Sequence, residues 1–552
     1  MKTYPASGEL QPQFTTLNLF ILSGTMVILV FLLQGNVGLN IPDEGFLWYG
    51  TIRTALGEVP VRDFQSYEPG RYYWGLLWFK LLRNDGILAL RISQSVFQFV
   101  GLSLALLLLR RILSSWVAMI FGAAILARWM FPTWKIYEPV ILIAAVYFAV
   151  LIIERPSRTR HLVAGVFIGV AAFFGRNHGL YCTVGFILLI IFVFWKLDRR
   201  SLFERLGALS LGIVIGYLPM LLMMAFVPGF FGRVVEDLVF NLHSGTTLPI
   251  PVPWPWRQTY RLIGIREAIN RLSIGLLFLA LPAFYLFAFI RLLLKRTVHA
   301  HPVFIASAFV GVIYLHYTFG RPQLYYLTWT IPPVILGLIA VPESFSTDHH
   351  KKLAVVTWSI LVVFSLSALE LAQDNYFSVK ARTFVKAKLF RRNGGDFDQA
   401  MNAQGLVKAD VRGDNLWISK DTAALIDSAK TIDQMLTSND QILIVPYYPG
   451  LYAILGRRSP LWEIYFLIPR PTSEQEKMSR ELENKRVGWA FVCHQYVDDR
   501  PELAFQNTHS FLWQYLMENF ETVTTEEMKK LEPNCELMRR KGQPQTGAPN
   551  IR

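Results

Sequence analysis

Long apolar runs alternate with short polar stretches through the first two thirds of the chain. Each run approaches the roughly 20 residues that a helix needs to cross a bilayer. The pattern predicts a polytopic α-helical membrane protein with about 11 transmembrane helices. The expected spans lie near residues 17–36, 85–109, 115–131, 136–153, 160–175, 179–195, 205–226, 273–294, 302–319, 323–341 and 352–372. The first run lacks a small-residue cleavage site, so we interpret it as a retained span.

Basic residues divide the loops between these spans into two sets. One set carries most of the Lys and Arg, namely Arg110, Arg111, Arg155, Arg158, Arg160, Lys196, Arg199, Arg200, Arg205, Arg291, Lys295, Arg296, Lys351 and Lys352. The positive-inside rule places this set, and the N-terminus, in the cytoplasm. A first outer loop (37–84), a long outer loop (227–272) and everything after 372 then face the extracytoplasmic side of an inner (plasma) membrane.

The pattern changes after residue 372. We expect a transmembrane module over 1–372, an extracytoplasmic α/β domain over 373–541, and a disordered tail over 542–552. Strand-like runs at 441–446 and 488–493 each follow a helical stretch, which favours a small α/β domain. Cys493 and Cys535 lie in this domain and would pair only in an oxidising compartment.

Composition agrees with a membrane protein and narrows its partners. The 552 residues are 53% hydrophobic and 17% charged, with a formal net charge of +14. Basic cytoplasmic loops account for such a charge, and the sequence carries no nucleic-acid-binding motif. We therefore expect membrane lipids, and not nucleic acid, as partners.

The densest group of charged and aromatic residues follows the first span. Residues 40–46 read NIPDEGF, and two adjacent carboxylates, Asp43 and Glu44, stand where headgroups meet water. We predict a short interfacial helix over 43–56 and a second over 69–83, which buries its Trp and Leu residues and keeps Arg71 polar. Carboxylates at a membrane boundary indicate function. The alternative is that the two acids only cap a helix.

This loop resembles that of a known superfamily. Asp-Glu a few residues after the first span, then Gly-Glu-Val-Pro-x-Arg-Asp-Phe and Tyr-x-Pro-Gly-x-Tyr-Tyr, resembles the glycosyltransferase C (GT-C) superfamily. The similarity is to its bacterial protein-mannosyltransferase-like branch, which includes aminoarabinose transferases and the RgtA/B/C/D type. The resemblance covers residues 10–372. It implies a polyprenyl-phosphate sugar donor, an envelope glycan, lipid or protein acceptor, and transfer with inversion on the outer face.

The resemblance also implies roles for particular acids. Asp43 matches the catalytic base, and Glu44 would orient the acceptor or help to bind a cation. Glu138, in the second outer loop, is the possible second acid, although neighbouring Lys135 and aromatic residues suit ordinary interfacial anchors equally well. No metal is expected to be essential, and a divalent cation such as Mg²⁺ or Mn²⁺ remains possible at the acidic pair.

Several basic residues map to the outer side and are candidates for the donor phosphate, because Arg binds phosphate through two nitrogens. They are Arg62, Arg71, Arg176 and Arg321. Snorkelling to headgroups is the alternative for each of them. Relatives often carry Arg-Pro-Asp and then His where this chain has Arg321-Pro322-Gln323, which weakens any catalytic role there. His178 and His243 are further candidates, each with an ordinary hydrogen-bonded role as the alternative.

Two other functions remain open. One is a multi-span transporter or lipid flippase with an extracytoplasmic accessory domain. It is disfavoured because the charged residues collect at one face, whereas transporters place their sites near the membrane midplane. The other is an inactive relative that acts as a scaffold.

Overall fold

The computed structural model describes residues 14–194, 199–245, 248–260, 263–294, 300–345, 350–368, 376–386, 396–523 and 534–542. The chain forms two compact units. The helical unit comprises Met1–Leu33, Arg91–Val227 and Thr247–Phe377. The mixed unit comprises Gln34–Leu90, Pro228–Thr246 and Ser378–Arg552. The predicted border at 372/373 and, apart from Gly542, the predicted disordered tail lie outside the described residues.

Helices dominate the described residues. In chain order they are α1 (Thr16–Gln34), α2 (Asp43–Ala55), α3 (Pro69–Leu82), α4 (Ile87–Leu109), α5 (Trp116–Trp129), α6 (Tyr137–Glu154), α7 (Arg158–Phe174), α8 (Arg176–Phe194), α9 (Arg199–Gly216), α10 (Leu218–Phe226), α11 (Phe230–Ser244), α12 (Ile265–Leu294), α13 (Pro302–Ile313), α14 (Leu315–Gly320), α15 (Leu324–Thr330), α16 (Pro332–Phe345), α17 (His350–Ser367), α18 (Tyr376–Phe384), α19 (Phe397–Asn402), α20 (Lys420–Met435), α21 (Pro449–Leu455), α22 (Thr472–Asn484), α23 (Phe505–Thr508) and α24 (Ser510–Asn519). The strands are β1 (Leu406–Val411), β2 (Asp414–Ser419), β3 (Ile442–Val445), β4 (Trp489–Cys493), β5 (Phe520–Thr522) and β6 (Cys535–Arg540).

A helix lies at each of the eleven places where a span is predicted, but fewer helices have the length and composition of a span. Within the described ranges, 6 helices are long and apolar enough to cross a membrane, and up to 8 if each of two bent pairs is one span. The bent pairs are α9 with α10 and α15 with α16, which turn by 52° and 53°. The described residues therefore contain six to eight helices that could span a membrane, and the predicted number of eleven stays a prediction.

Glycines bring two helices of the helical unit into close contact. Gly165 and Gly169 lie one turn apart on α7, and Gly212 and Gly216 lie one turn apart on α9. A Cβ added at Gly165 would lie 2.1 Å from the Leu209 carbonyl oxygen, and one at Gly212 would lie 2.1 Å from that of Leu162. Such small residues one turn apart allow backbones to pack directly, as is common between helices inside a membrane.

The mixed unit contains two sheets. β1 and β2 form an antiparallel hairpin, and the second sheet has the order β3-β4-β6-β5. In the second sheet β3 and β4 are parallel, whereas β6 runs antiparallel to both of its neighbours. A disulfide joins Cys493 to Cys535, which face each other across β4 and β6. The predicted strands at 441–446 and 488–493 and the helical stretch before each of them are thus present, within a few residues.

The first outer loop folds together with residues from the C-terminal part of the chain. Backbone hydrogen bonds run from Gly38 N–H to Trp417 O (2.7 Å), from Gly450 N–H to Ile41 O (3.2 Å) and from Gln65 N–H to Trp462 O (2.9 Å). α2 packs on α21 so closely that a Cβ added at Gly45 would lie 2.6 Å from the Cα of Gly450. The loop is therefore a built-in part of the mixed unit.

The loop over 227–272 contains the 15-residue helix α11 as well as the extended proline-rich stretch. One expectation for the first outer loop needs correction. On α3, Arg71 is buried together with Tyr72 and Phe79, although a polar position is expected for it, whereas Leu77 and Leu81 are exposed, as is typical of the lipid-facing side of an interfacial helix. The protein side of α3 is thus the face that carries Arg71, because the aromatic residues of the first loop pack there.

Candidate active site

The start of α2 is held by Asn40 and Glu44. The Asn40 side-chain oxygen accepts a hydrogen bond from Asp43 N–H at 2.7 Å, and Glu44 Oε2 accepts one from Asn40 N–H at 3.4 Å. This reciprocal arrangement is similar to a capping box, in which a side chain at each end satisfies an otherwise free N–H. Glu44 is fully buried. Helix capping, the alternative role for the acidic pair, is thus provided here by Asn40 and Glu44.

The Asp43 carboxylate is directed elsewhere. Its Oδ1 accepts a hydrogen bond from the Tyr465 hydroxyl at 2.9 Å. Asp43 is half-buried, and no residue in the described part of the chain donates a hydrogen bond to its Oδ2. One oxygen of the carboxylate is therefore fixed in position, and the other is available to accept a proton.

Aromatic rings surround this carboxylate. The Tyr465 ring lies 5.3 Å from Phe46 and 5.9 Å from Tyr447, measured between ring centroids. Burial and then the negative charge of Asp43 raise the pKa of Tyr465 well above its usual value. Burial, followed by the charges of Asp43 and Asp498, raises the pKa of Tyr447 to about 12. Both phenols therefore stay protonated near neutral pH, so Tyr465 remains a hydrogen-bond donor to Asp43.

The segment before and after Tyr465 is held on both sides. Trp462 Nε1 donates to the Val61 carbonyl at 2.9 Å, and Ile464 N–H donates to Gln65 Oε1 at 3.0 Å. Deeper in the mixed unit, Arg470 Nε donates to Glu463 Oε2 at 2.7 Å, and both side chains are buried. These contacts fix the backbone on both sides of Tyr465. The position of its hydroxyl relative to Asp43 is therefore fixed as well.

Two of the predicted phosphate ligands lie in the mixed unit, in different surroundings. Arg71 is 4% exposed, and its guanidinium lies 4.9 Å from the centre of the Tyr67 ring. Arg62 forms two hydrogen bonds of 2.8 Å with the carboxylate of Asp63. The hydrogen bonds between them raise the pKa of Arg62 and lower that of Asp63. The guanidinium of Arg62 is thus already occupied by a carboxylate within the loop.

His243, the other candidate in this unit, lies near the end of α11. It is exposed, and its Nδ1 is 2.8 Å from the Val239 carbonyl oxygen. This bond within one helix turn is an ordinary hydrogen bond of the kind considered as the alternative for His243.

The remaining candidates belong to the helical unit. Glu138 is 2% exposed at the start of α6, and Arg176 is exposed at the start of α8. His178 is fully buried, with Nδ1 3.1 Å from the Tyr314 hydroxyl and its ring stacked on that tyrosine. Arg321 donates from Nη1 to the Leu248 carbonyl at 2.8 Å. His178 and Arg321 thus join neighbouring segments within the helical unit.

The acidic pair is the only place where the sequence suggested a cation. Among the described residues there is no group of three or more His, Cys, Asp or Glu side chains that could hold a metal ion. Mg²⁺ is commonly held by one or two carboxylates together with waters, so the acidic pair is compatible with a cation. The prediction that no metal is essential stays a prediction.

Sequence reasoning missed the residues that complete the Asp43 environment. Tyr465 is 422 positions away from Asp43, and no motif near it signals the contact. Tyr447 follows directly after a predicted strand, at 441–446. A residue at the carboxyl end of a parallel strand is a common place for a binding group, so this position carried a usable signal.

Comparison with solved structures identifies the class of fold. The fold is that of GT-C glycosyltransferases, as the resemblance of the first loop predicts. The structure is similar to that of ArnT from Cupriavidus metallidurans bound to undecaprenyl phosphate, with a TM-score of 0.51 and 13% identity over 96% of this chain and 99% of that chain.

Two structures of the oligosaccharyltransferase of Archaeoglobus fulgidus also match. One is tethered with an acceptor peptide (TM-score 0.46, 11% identity, 93% of this chain and 73% of that chain), and the other, AglB, is in complex with an inhibitory peptide and a dolichol-phosphate (0.43, 12%, 92% and 73%). No family model matches the sequence, and no curated protein is significantly similar to it.

Proposed function

We propose that the protein is an integral inner-membrane glycosyltransferase of the GT-C type. It moves a sugar from a polyprenyl-phosphate carrier to an envelope acceptor on the extracytoplasmic face, with inversion at the anomeric carbon. The observation that carries the proposal is the Asp43 carboxylate, which is half-buried, fixed through Oδ1 by Tyr465 and unengaged at Oδ2.

Asp43 acts as the general base. Its Oδ2 takes the proton from the acceptor hydroxyl while the hydroxyl oxygen forms a bond to the anomeric carbon. The bond from that carbon to the phosphate oxygen breaks, and the polyprenyl phosphate leaves with the electron pair. A positioned base of this kind contributes roughly 10²–10⁴-fold to a rate. Attack from the side opposite the leaving group inverts the configuration.

Arg71 is our first choice for the cation that stabilises the departing phosphate. It is connected to the base by a row of rings: Arg71 lies on Tyr67, Tyr67 lies 4.9 Å from Phe46, and Phe46 contacts Tyr465. It also stands in the first turn of α3, where the helix dipole favours negative charge. From the sequence, Arg176 and Arg321 stay candidate phosphate ligands and Glu138 stays the candidate second acid.

The extracytoplasmic location rests on two independent features. Basic residues concentrate in the alternate loops that the positive-inside rule assigns to the cytoplasm. The disulfide between Cys493 and Cys535 is of the kind that persists in oxidising compartments outside the cytoplasm. Nucleotide sugars are cytoplasmic, so a lipid-linked donor suits a site on this side. The ArnT structure that the fold resembles contains undecaprenyl phosphate.

The test is a transfer assay with the purified full chain in lipid nanodiscs. A polyprenyl-phosphate-linked radiolabelled sugar and envelope extract should yield a labelled acceptor, whereas the corresponding nucleotide sugar should not. Transfer from the nucleotide sugar alone would refute the donor assignment. Movement of the lipid across a liposome bilayer without any transfer would instead support the flippase alternative.

A further inference from the structure

The carboxyl ends of β3 and β4 meet beside the candidate base. The two strands are parallel and paired from Ile442 with Trp489 to Val445 with Val492, so the residues that follow them emerge at one edge of the sheet. Ligands commonly bind at the carboxyl ends of parallel strands. Tyr447 follows β3 and Gln495 follows β4, and neither position has a part in the transfer chemistry described above.

Tyr447 offers an aromatic face close to Asp43. Its half-buried ring lies 5.9 Å from Tyr465, whose hydroxyl binds Asp43, and 5.4 Å from Tyr448. Within the ranges that the structure describes, its hydroxyl has no hydrogen-bond partner. A partly exposed aromatic ring next to a base suits a ligand that has both C–H faces and hydroxyl groups.

The strand-end residues of β4 supply hydrogen-bonding groups at the same edge. Gln495 Oε1 accepts a hydrogen bond from Tyr448, and its Nε2 donates to no other described residue. Tyr496 is 43% exposed, and Asp498 is exposed with a left-handed backbone at φ 59°. A small number of precisely placed polar groups among aromatic side chains is typical of small-molecule sites.

We propose that this edge is the acceptor subsite and that it takes a sugar residue of a glycan acceptor. The sugar stacks its C–H face on Tyr447, Gln495 Nε2 donates to one of its hydroxyls, and another hydroxyl reaches Asp43 Oδ2. This inference rests on the proposed transferase function and specifies the acceptor class of the same site.

A peptide acceptor fits this edge less well. Extended peptides bind by adding a strand to an exposed sheet edge. β3 is an edge strand, but all of its residues are buried, and Ile444 N–H already donates to the Tyr452 hydroxyl at 2.7 Å. The backbone groups that a peptide would need are thus partly covered, whereas the side chains that a sugar would need are available.

The test is saturation-transfer NMR on the full chain in nanodiscs, with methyl glycosides of mannose, glucose and galactose as probes and a Ser/Thr-rich peptide as competitor. We expect saturation of the ring C–H protons of at least one glycoside. Tyr447→Ala should weaken that binding by about threefold to tenfold, because it removes the ring on which the sugar stacks. Tyr447→Phe should retain it, and Gln495→Ala should weaken it. The exposed Phe511 on α24 provides the matched control, Phe511→Ala, which should change nothing.

The outcomes separate this inference from the proposed function. Asp43→Asn should keep the part of sugar binding that depends on Tyr447 and lose transfer, since it removes the base and leaves the ring. Tyr447-dependent sugar binding without any transfer would refute the proposed function and support a sugar site. Equal binding by wild type and Tyr447→Ala, saturation of the peptide alone, or no saturation of any glycoside would overturn the inference. Thermal melting of each variant checks folding. If Tyr447→Ala is unstable, the two single variants Tyr447→Phe and Gln495→Ala are compared instead: retained binding in the first and weaker binding in the second support the inference, and equal binding in both overturns it.

Discussion

The candidate residues of the mixed unit and those of the helical unit differ in what their polar atoms do. In the mixed unit Asp43 has one oxygen fixed by Tyr465 and one oxygen without a partner in the described chain. In the helical unit His178 binds Tyr314, and Arg321 binds the Leu248 carbonyl. Both sets are charged or polar groups near predicted membrane boundaries, so position alone does not indicate chemistry. Asp43 differs in that the group that holds it, Tyr465, belongs to a cluster of aromatic rings around the carboxylate.

The aromatic contacts of the two units sharpen this difference. In the helical unit His178, Tyr317, Tyr326 and Trp329 form a row of neighbouring rings, with Lys135 5.5 Å from the centre of Trp329. This row connects the ends of several helices. In the mixed unit the rings converge on a carboxylate. We therefore expect kinetic effects from substitutions in the mixed unit and stability effects from substitutions in the helical unit.

Asp43→Asn gives the largest expected effect. The substitution keeps the size of the side chain and an oxygen that can accept from Tyr465, but it removes the proton acceptor. The transfer rate should fall by roughly 10²–10⁴-fold, the contribution of a general base. The measurement is kcat for transfer from a polyprenyl-phosphate sugar, at matched amounts of monodisperse protein.

The matched control is Asp63→Asn, in the same loop. Asp63 pairs with Arg62 and accepts a hydrogen bond from Val59 N–H, and it does not contact Tyr465. Its loss should leave most of the rate, because an exposed pair contributes about 1 kcal/mol or less. If Asp43→Asn retained most of the wild-type rate, Asp43 would not be the general base. The contrast between the two units would then no longer hold.

Arg71→Ala is expected to have the next largest effect. Hydrogen bonds to charged groups contribute about 1.5–3 kcal/mol, so the KM for the lipid-phosphate donor should rise by roughly 10–100-fold. Arg71→Lys should recover part of the loss, since it keeps the charge without the paired nitrogens. Arg62→Ala is the control and should change donor KM little, because Arg62 is bound to Asp63. A larger effect at Arg62 than at Arg71 would reverse our choice of phosphate ligand.

Local elements of this fold follow from the sequence because their signals are local. α2 and α3 begin at Asp43 and Pro69, where an acidic first turn and an N-terminal proline predict helix starts. The strands β3 and β4 follow from short apolar runs. The hairpin of β1 and β2 was missed because its alternating pattern is short and rich in charged residues.

The residues of the candidate site also divide into those that local sequence predicts and those that depend on long-range packing. Asp43 could be predicted, since the apolar run before it and the motif after it are contiguous. Tyr465 could not, because the contact depends on how α21 and the segment around Trp462 pack against the first loop. Arg71 was expected to stay polar and is instead buried, because periodicity alone does not show that the first loop packs over this end of α3. Long-range packing decides both points.

Tyr465→Phe tests whether the fixed oxygen of Asp43 matters. The change removes one hydroxyl and keeps the ring that contacts Phe46 and Tyr447. Loss of one hydrogen bond to a charged group, about 1.5 kcal/mol, should lower kcat by roughly tenfold with little change in donor KM. Equal kcat values for Tyr465→Phe and the wild type would show that Asp43 needs no orientation by Tyr465.

His178→Phe should have the smallest kinetic effect, because the contacts of His178 lie within the helical packing. The ring stack on Tyr314 is kept, and the hydrogen bond from Nδ1 to the Tyr314 hydroxyl is lost. The free energy of unfolding should fall by about 1 kcal/mol, as for one buried hydrogen bond, and kcat should stay within about twofold. Thermal melting and the transfer assay on the same preparations measure both. Tyr314→Phe should lower the melting temperature similarly, and the double variant should be less unstable than the sum, because both substitutions remove the same bond. A selective loss of kcat at an unchanged melting temperature would instead place His178 in the chemistry, and the contrast between the two units would no longer hold.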